Sequence, residues 1–436
     1  MNRSEFNDGL MTFIGASPTP FHAVDNMAKM LNKAGFKRLF ENDSWRDKLA
    51  ADVDKPGRYY VIRNDSSICA FVLTGEPLSE CGFRMIGAHT DSPCLKVKPQ
   101  ATVKKNGYVQ LAVEVYGGAL LNPWFDRDLS LAGRVSVECE DGSLCHCLID
   151  FLEPLAVIPS LAIHLDREAN TQKSINAQTD IMPIVMRIEN DSFDFRELLH
   201  DQVRQQYPDM EIASILDYEL NLYDTQTPKL IGINKEFIAA ARLDNLLSCY
   251  VGLQALLNSG TRPALLICND HEEVGSMSAS GAQGTFLSSV LERIVTETES
   301  FSRMISRSLF ISADNAHGIH PNYPSKHDDN HSPLLNGGPV IKVNNNQRYA
   351  TNSITSAIFK QCCRQIGIPV QTFVTRNDLA CGSTIGPLTA TKLGVPAIDV
   401  GVPTFAMHSI RELAGSYDGW YLFTAMSGLF ASSSAV

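Results

Sequence analysis

Apolar residues recur three and four positions apart from about Ser4 to Ile14 and again from about Phe21 to Ala34, with "SPTP" between the runs and Gly35 after the second. That spacing predicts two helices joined by a tight turn. The period then shortens. "RYYVIRN", "SICAFVLTG" and "GFRMIGAHTD" are short runs rich in β-branched and aromatic residues, parted by turn formers, and read as strands of a mixed α/β sheet. After Pro93 strict alternation takes over: "LKVKPQATVKKNGYVQLAVEVYGG" turns at Asn106-Gly107, and "LAGRVSVECEDGSLCHCLIDF" turns at Asp141-Gly142, both hairpin patterns. One helix is expected near "RELLHDQVRQQY". The α/β style returns with the helical spacing of "ARLDNLLSCYVGLQALLNSG" and the strand-like "PALLICND", "SRSLFISADNA" and "GVPAIDVGVP". The pattern therefore predicts an α/β domain made of residues 1–94 and 236–436, with a β-rich domain of residues 95–235 inserted into it.

Length agrees with two domains, since 436 residues exceed the size at which one core stops growing. Charge narrows the partners. With 48 acidic and 37 basic residues the net charge is −11, which argues against a nucleic-acid or anionic-membrane surface and favours compact substrates. The eleven cysteines follow no regular spacing, as expected of reduced thiols in a cytoplasmic protein. "MNRSEFNDGLMTFIGASPTP" has neither a long apolar core nor a small-residue cleavage site, and no run approaches about 18 apolar residues. Neither export nor a membrane span is expected.

Five places bring a histidine or carboxylate to the end of an apolar run: His89 in "GAHTD", Asp244 in "ARLDN", Glu272 and Glu273 in "NDHEEVGS", Asp314 in "ISADNAHG", and His408 in "FAMHSI". Open α/β sheets bind ligands at the carboxyl ends of their strands, so these residues are candidates to converge in one crevice. His89 and Asp91, two apart, would leave a strand on the same face. Imidazoles with carboxylates form the ligand set of Zn²⁺, with Mn²⁺ or Co²⁺ as substitutes at an oxygen-rich site. Two ions would need a bridging carboxylate and could hold one water between them. Each residue also has a plainer reading. His89 and His408 suit packed histidines, Asp244 a helix cap, Asp314 a turn, and the paired glutamates a charged helix start. "CHC" at Cys145–Cys147 reads as strand, because no second Cys/His pair accompanies it.

In order along the chain, "SPTPFHAV", "GAHTDSPCLKVKP", "NPWFDRDLSLAGRV", "IPSLAIHLDR", "ARLDNLLSCY", "NDHEEVGS", "SADNAHGIHPNYPSKHD", "NNNQRYATN", "RNDLACGSTIGP" and "GVPTFAMHSIRE" resemble the aspartyl aminopeptidase family of co-catalytic zinc metallopeptidases. The resemblance spans nearly the whole chain. It implies a phosphorylase-like, zinc-exopeptidase α/β domain with a mixed sheet flanked by helices, plus an inserted β-rich dimerisation domain. It also implies two Zn²⁺ per subunit. By position, His89 and Asp314 would hold one ion, Glu273 and His408 the other, Asp244 would bridge, Glu272 would be the general base, and Asp91 would orient His89. His164 in "LAIHLDR" would serve either as an oxyanion or substrate contact lent across a subunit boundary or as a metal ligand. Lys342 and Tyr349 would line a pocket for an acidic side chain. His317, His320, His327 and His331 belong to a loop rather than to the ligand set.

The implied activity is removal of N-terminal residues, preferentially Asp or Glu, from peptides, in a dimer-based homo-oligomer that reaches a tetrahedral dodecamer in the family. The alternatives are another zinc exopeptidase of the same fold (carboxypeptidase, deacylase or broad-specificity aminopeptidase) or a catalytically silent assembly protein. The last predicts lost ligands, and all five ligand positions and Glu272 are present. No Gly-rich phosphate loop follows an early strand, which excludes a nucleotide-binding enzyme.

Overall fold

In the computed structural model, which describes residues 1–45, 49, 56–188 and 193–432, the chain forms two compact units. The first comprises Met1–Asp91, Pro228–Met407 and Glu412–Val436; the second comprises Ser92–Thr227 and His408–Arg411.

The first unit is a mixed α/β fold around a nine-stranded sheet. In chain order its strands are β1 (Lys37–Arg38), β2 (Pro56–Arg63), β3 (Ser67–Thr74), β4 (Arg84–His89), β5 (Ala264–Asn269), β6 (Leu309–Ala313), β7 (Val340–Val343), β8 (Gln371–Val374) and β9 (Ala397–Gly401). Their spatial order is β1-β2-β3-β5-β4-β6-β9-β7-β8. The central four, β5, β4, β6 and β9, are mutually parallel, so their carboxyl ends share one edge. Every residue of β4, β5, β6 and β9 is buried, the signature of parallel strands covered on both faces. One face packs Ile86, Ala88, Leu266, Ile311 and Val400 against helices α1 (Arg3–Gly15), α2 (Pro20–Lys33), α3 (Leu243–Leu257) and α5 (Asp418–Ala431). The other packs Met85, Leu265, Ile267 and Phe310 against Phe286, Leu291 and Ile385, the last at the start of α4 (Ile385–Leu393). The covering is tight: a Cβ on Gly87 would meet Phe310 Cζ at 2.2 Å. A smaller five-stranded sheet completes this unit.

The second unit carries a six-stranded antiparallel sheet and the helix Phe195–Gln206. Its first hairpin joins Cys94–Lys105 to Tyr108–Tyr116, with Lys105 opposite Tyr108 and both Asn106 (φ 52°) and Gly107 (φ 83°) left-handed. That is the conformation a two-residue primed turn requires and Asn-Gly supplies. Leu111, Leu131, Val135, Ile149 and Leu220 line its separate core. The helices and strands expected from periodicity are present, with ends shifted by up to three residues.

Candidate metal centre

The site grows out of the shared strand edge. His89 ends β4 opposite Asn269, the last residue of β5, and Asp314 follows the end of β6. After β5 the backbone turns sharply, with His271 (φ 62°), Gly275 (φ 96°) and Ser276 (φ 62°) left-handed around the single helical turn Glu272–Val274. Asp244 lies at the start of α3 but is not helical (φ −83°, ψ 103°), and its peptide bond to Asn245 is cis. The N-cap of the element is Arg242, and Asp244 sits two residues on, at a kink. Its N–H donates to Glu412 Oε2 at 3.0 Å, while Asn245 Nδ2 donates to the Ala313 carbonyl at 2.8 Å.

These elements bring His89, Asp91, Asp244, Glu272, Glu273 and Asp314 together. His89 Nε2 lies 3.4 Å from Asp244 Oδ1, 3.7 Å from Asp314 Oδ1 and 3.9 Å from Glu272 Oε2. Ligand atoms of His89, Asp244 and Glu273 all fall within 4.8 Å of one another. His89 Nδ1 sits 3.1 Å from the Asp91 backbone carbonyl and 3.4 Å from its carboxylate. A proton there, donated to Asp91, leaves the Nε2 lone pair facing the carboxylates. Asp91 does more than aim the imidazole: its two oxygens accept the N–H groups of Glu272 and Glu273, each at 3.1 Å, and so hold the glutamate turn against β4.

Electrostatics mark the site as unbalanced in cations. Burial alone would depress the His89 imidazole, but Glu272, Asp244, Asp314 and Asp91 hold it well above its ordinary value. Burial pushes Glu272 up to about 7, and Asp314, Asp91 and Asp244 add to the rise against the pull of His89. Glu273 is raised by burial and by Asp244. Carboxylates this close and this dry share protons or gather cations. One imidazole nitrogen among several carboxylate oxygens is a donor set suited to zinc, and divalent charge answers the excess of negative groups. His89, Asp244 and Glu273, with Asp314 beside them, are the residues that would hold it.

The other expected residues have the following surroundings. Lys342 is 2% exposed, and its ammonium donates to Asp314 Oδ2 and to the Asn315 carbonyl, each at 3.1 Å, with the Tyr349 ring 5.1 Å away. His164 is exposed in a turn-rich stretch of the second unit. His408 also falls in the second unit, with a left-handed backbone (φ 68°) and Nδ1 3.2 Å from the Gly118 carbonyl. Periodicity and motif missed Glu412, which fixes the backbone of Asp244, and Cys249, whose thiol donates to the His89 carbonyl at 3.0 Å. Glu412 had a faint signal, being the acid that closes "HSIRE". Cys249 had none, because nothing in a helical pattern says which strand end its thiol meets.

Beside Lys342 in the first unit opens a cavity of about 330 Å³. His317, His320, Lys326, His327, Arg376 and Tyr349 contribute to its wall, and none of the described lining residues is Asp or Glu.

A parallel-sheet edge that gathers imidazole and carboxylate groups, with a cavity in the same unit, is the arrangement of a metal-dependent enzyme of the α/β class. The family model described as "Aminopeptidase I zinc metalloprotease (M18)" matches residues 13–430, and the chain belongs to that family of zinc metallo-aminopeptidases. It is 56% identical over 432 residues to the "Probable M18 family aminopeptidase 2" of Ectopseudomonas mendocina (strain ymp), covering 99% of each chain. Among solved structures it is similar to that described as "Cryo-EM structure of the Ape4 and Nbr1 complex" (TM-score 0.93, 40% identity, 98% of this chain and 86% of that one). It is also similar to the "Structure of S. cerevesiae mApe1 dodecamer" (TM-score 0.85, 29% identity, 99% of this chain and 97% of that one). No helix among the described residues is long and apolar enough to cross a membrane.

Proposed function

We propose that this aminopeptidase works with two metal ions per subunit and prefers acidic N-terminal residues. The observation that carries the reading is the link, through Lys342, between a carboxylate-rich ligand cluster and a cavity walled by cationic and imidazole side chains: the ammonium bonds Asp314 and lies 5.1 Å from the ring of Tyr349, which lines the cavity. Asp244 is the proposed bridge, His89 and Asp314 the ligands of one ion, Glu273 and His408 those of the other. For His408 the support is its family motif alone. Bound there, zinc would supply Lewis-acid chemistry that acidifies a water and polarises a peptide carbonyl.

The chain's own residues do the rest. Glu272, whose surroundings favour a bound proton, takes the proton of the attacking water and returns it to the leaving amine. Asp91 keeps Glu272 and Glu273 in place through their N–H groups and fixes the tautomer of His89. Asp314 and Lys342 form a buried pair, so Lys342 reaches a substrate carboxylate from a tether, and Tyr349, at the cavity wall, presents its ring to the same ammonium. Lys326 adds positive charge to that wall, and Arg376, paired with Asp378, adds hydrogen-bond donors. His164 is proposed as a substrate or oxyanion contact lent to a neighbouring subunit. Exposed Leu161 (58%), Ile163 (48%) and Leu165 (75%) around it support burial of this stretch against another copy. We accordingly read the second unit as a dimerisation domain and the particle as a homo-oligomer, with the dodecamer of the yeast relative as the largest state to look for.

The test is hydrolysis of Asp-, Glu-, Leu- and Ala-p-nitroanilide by protein stripped of metal and reloaded with Zn²⁺, Mn²⁺ or Co²⁺. Acidic residues should be released fastest, and only after metal returns. Faster release of Leu would keep the metal chemistry and remove the acidic preference. Inactivity with every metal would favour the silent assembly reading.

A further inference from the structure

We propose that Asp399, which takes no part in the ligand cluster, is a positioning residue that holds two walls of the substrate cavity in register and thereby sets discrimination among N-terminal side chains. The proposal rests on reading that cavity as the side-chain pocket.

Asp399 lies in the middle of β9 between Ile398 and Val400 and is 0% exposed. A carboxylate is costly in such a strand unless its oxygens are used. Both are. Oδ1 accepts the Thr384 hydroxyl at 2.5 Å, and Oδ2 accepts the Ala350 N–H at 2.6 Å. The Asp399 N–H in turn donates to Thr351 Oγ1 at 3.0 Å. Ala350 and Thr351 directly follow Tyr349, which lines the cavity; Thr384 closely follows Cys381 and Gly382, which line it from another segment.

One side chain thus ties the 349–351 segment to the 381–384 segment through a strand that neither belongs to. A second link runs in parallel, from Ser383 Oγ to the Arg348 carbonyl at 3.4 Å. Space has been left for the carboxylate as well: a Cβ on Gly386 would stand 2.5 and 2.6 Å from its oxygens. Thr384 also caps α4, so the contact that pins the wall pins the start of that helix.

The experiment compares wild type with Asp399→Ala, Asp399→Asn and Thr384→Val, measuring kcat and KM on Glu-, Ala- and Leu-p-nitroanilide along with zinc content and melting temperature. Losing the anchor for the wall should raise KM for the Glu substrate about fivefold to tenfold in Asp399→Ala, the size of one lost buried hydrogen bond, with kcat within about twofold and zinc content unchanged. The Glu-to-Leu ratio of kcat/KM should fall by a similar factor. Asparagine can still accept from Ala350 and hydrogen-bond Thr384, so Asp399→Asn should restore KM to within about twofold. Thr384→Val, which cuts one arm only, should fall between, and it decides the matter by the same criterion if Asp399→Ala does not fold. Equal loss on all three substrates, loss confined to kcat, or an asparagine variant as poor as alanine would each overturn the proposal. A wild type without preference for Glu over Leu would instead sink the acidic-pocket reading, leaving Asp399 to be judged on KM alone.

Discussion

The two sheets obey opposite burial rules. In β4 all six residues are buried, whereas the first long strand of the second unit, Cys94–Lys105, mixes buried Leu95, Val97 and Ala101 with exposed Lys104 and Lys105. A strand covered on both faces can offer chemistry only where it ends or where it carries a fully satisfied polar group inside. A strand covered on one face keeps its other side for solvent or for a partner. The first arrangement concentrates function at an edge; the second spreads polar residues along a surface where single changes matter little.

The largest break in that comparison should come at the edge. Glu272→Gln, near-isosteric at a mostly buried side chain, should lower kcat about 10²- to 10⁴-fold while zinc content and melting temperature stay near wild type, as expected of a general base. An enzyme that retains a tenth of its activity would remove Glu272 from that role.

Metal removal should come next, and its effect should be centred on the first unit, which holds His89, Asp244, Glu273 and Asp314. A ligand that binds only the folded state at about a thousand times its Kd stabilises by about 4 kcal/mol, so chelation should lower that unit's melting transition and Zn²⁺ should restore it. Equal loss of hydrogen-exchange protection across Ser92–Thr227 would contradict a ligand set centred on the first unit.

Inside β4, Gly87→Ala forces Phe310 and Ile385 to move and should cost about 1–3 kcal/mol, readable by denaturant unfolding. On the second unit's sheet, Glu219 pairs with Arg134 across adjacent strands with half of its side chain in solvent. Glu219→Ala should therefore cost no more than about 1 kcal/mol and lose even that at high salt. If Glu219→Ala proved the costlier of the two, the contrast between covered and one-sided strands would fail.

Much of this architecture was legible because each pattern has one physical cause. Alternation around Asn106-Gly107 can be satisfied only by a two-residue turn between half-buried strands. The unbroken apolar runs before His89, Asp270 and Asp314 can be satisfied only by burial on both faces. The gathering of His89, Asp244, the two glutamates and Asp314 followed from placing each at the end of such a run. Lys342 shows where this reasoning stopped. A lysine in "VIKV" reads as a cation at a pocket, and nothing near it in the sequence says that its ammonium also bonds Asp314 and the Asn315 carbonyl, partners from a neighbouring part of the fold.

By itself the sequence determined the periods, the turns, the family and the residue types able to bind metal, because those depend on neighbours a few positions apart or on motifs read in order. Only the tertiary structure decided that the Asp91 carboxylate serves the N–H groups of Glu272 and Glu273, that Glu412 fixes Asp244, and that the carboxylate buried in "AIDVG" reaches Thr384 and Ala350. Those contacts join residues from 15 to 182 positions apart. The strand order that closes such distances is a property of the whole core, and no local spacing along the chain encodes it.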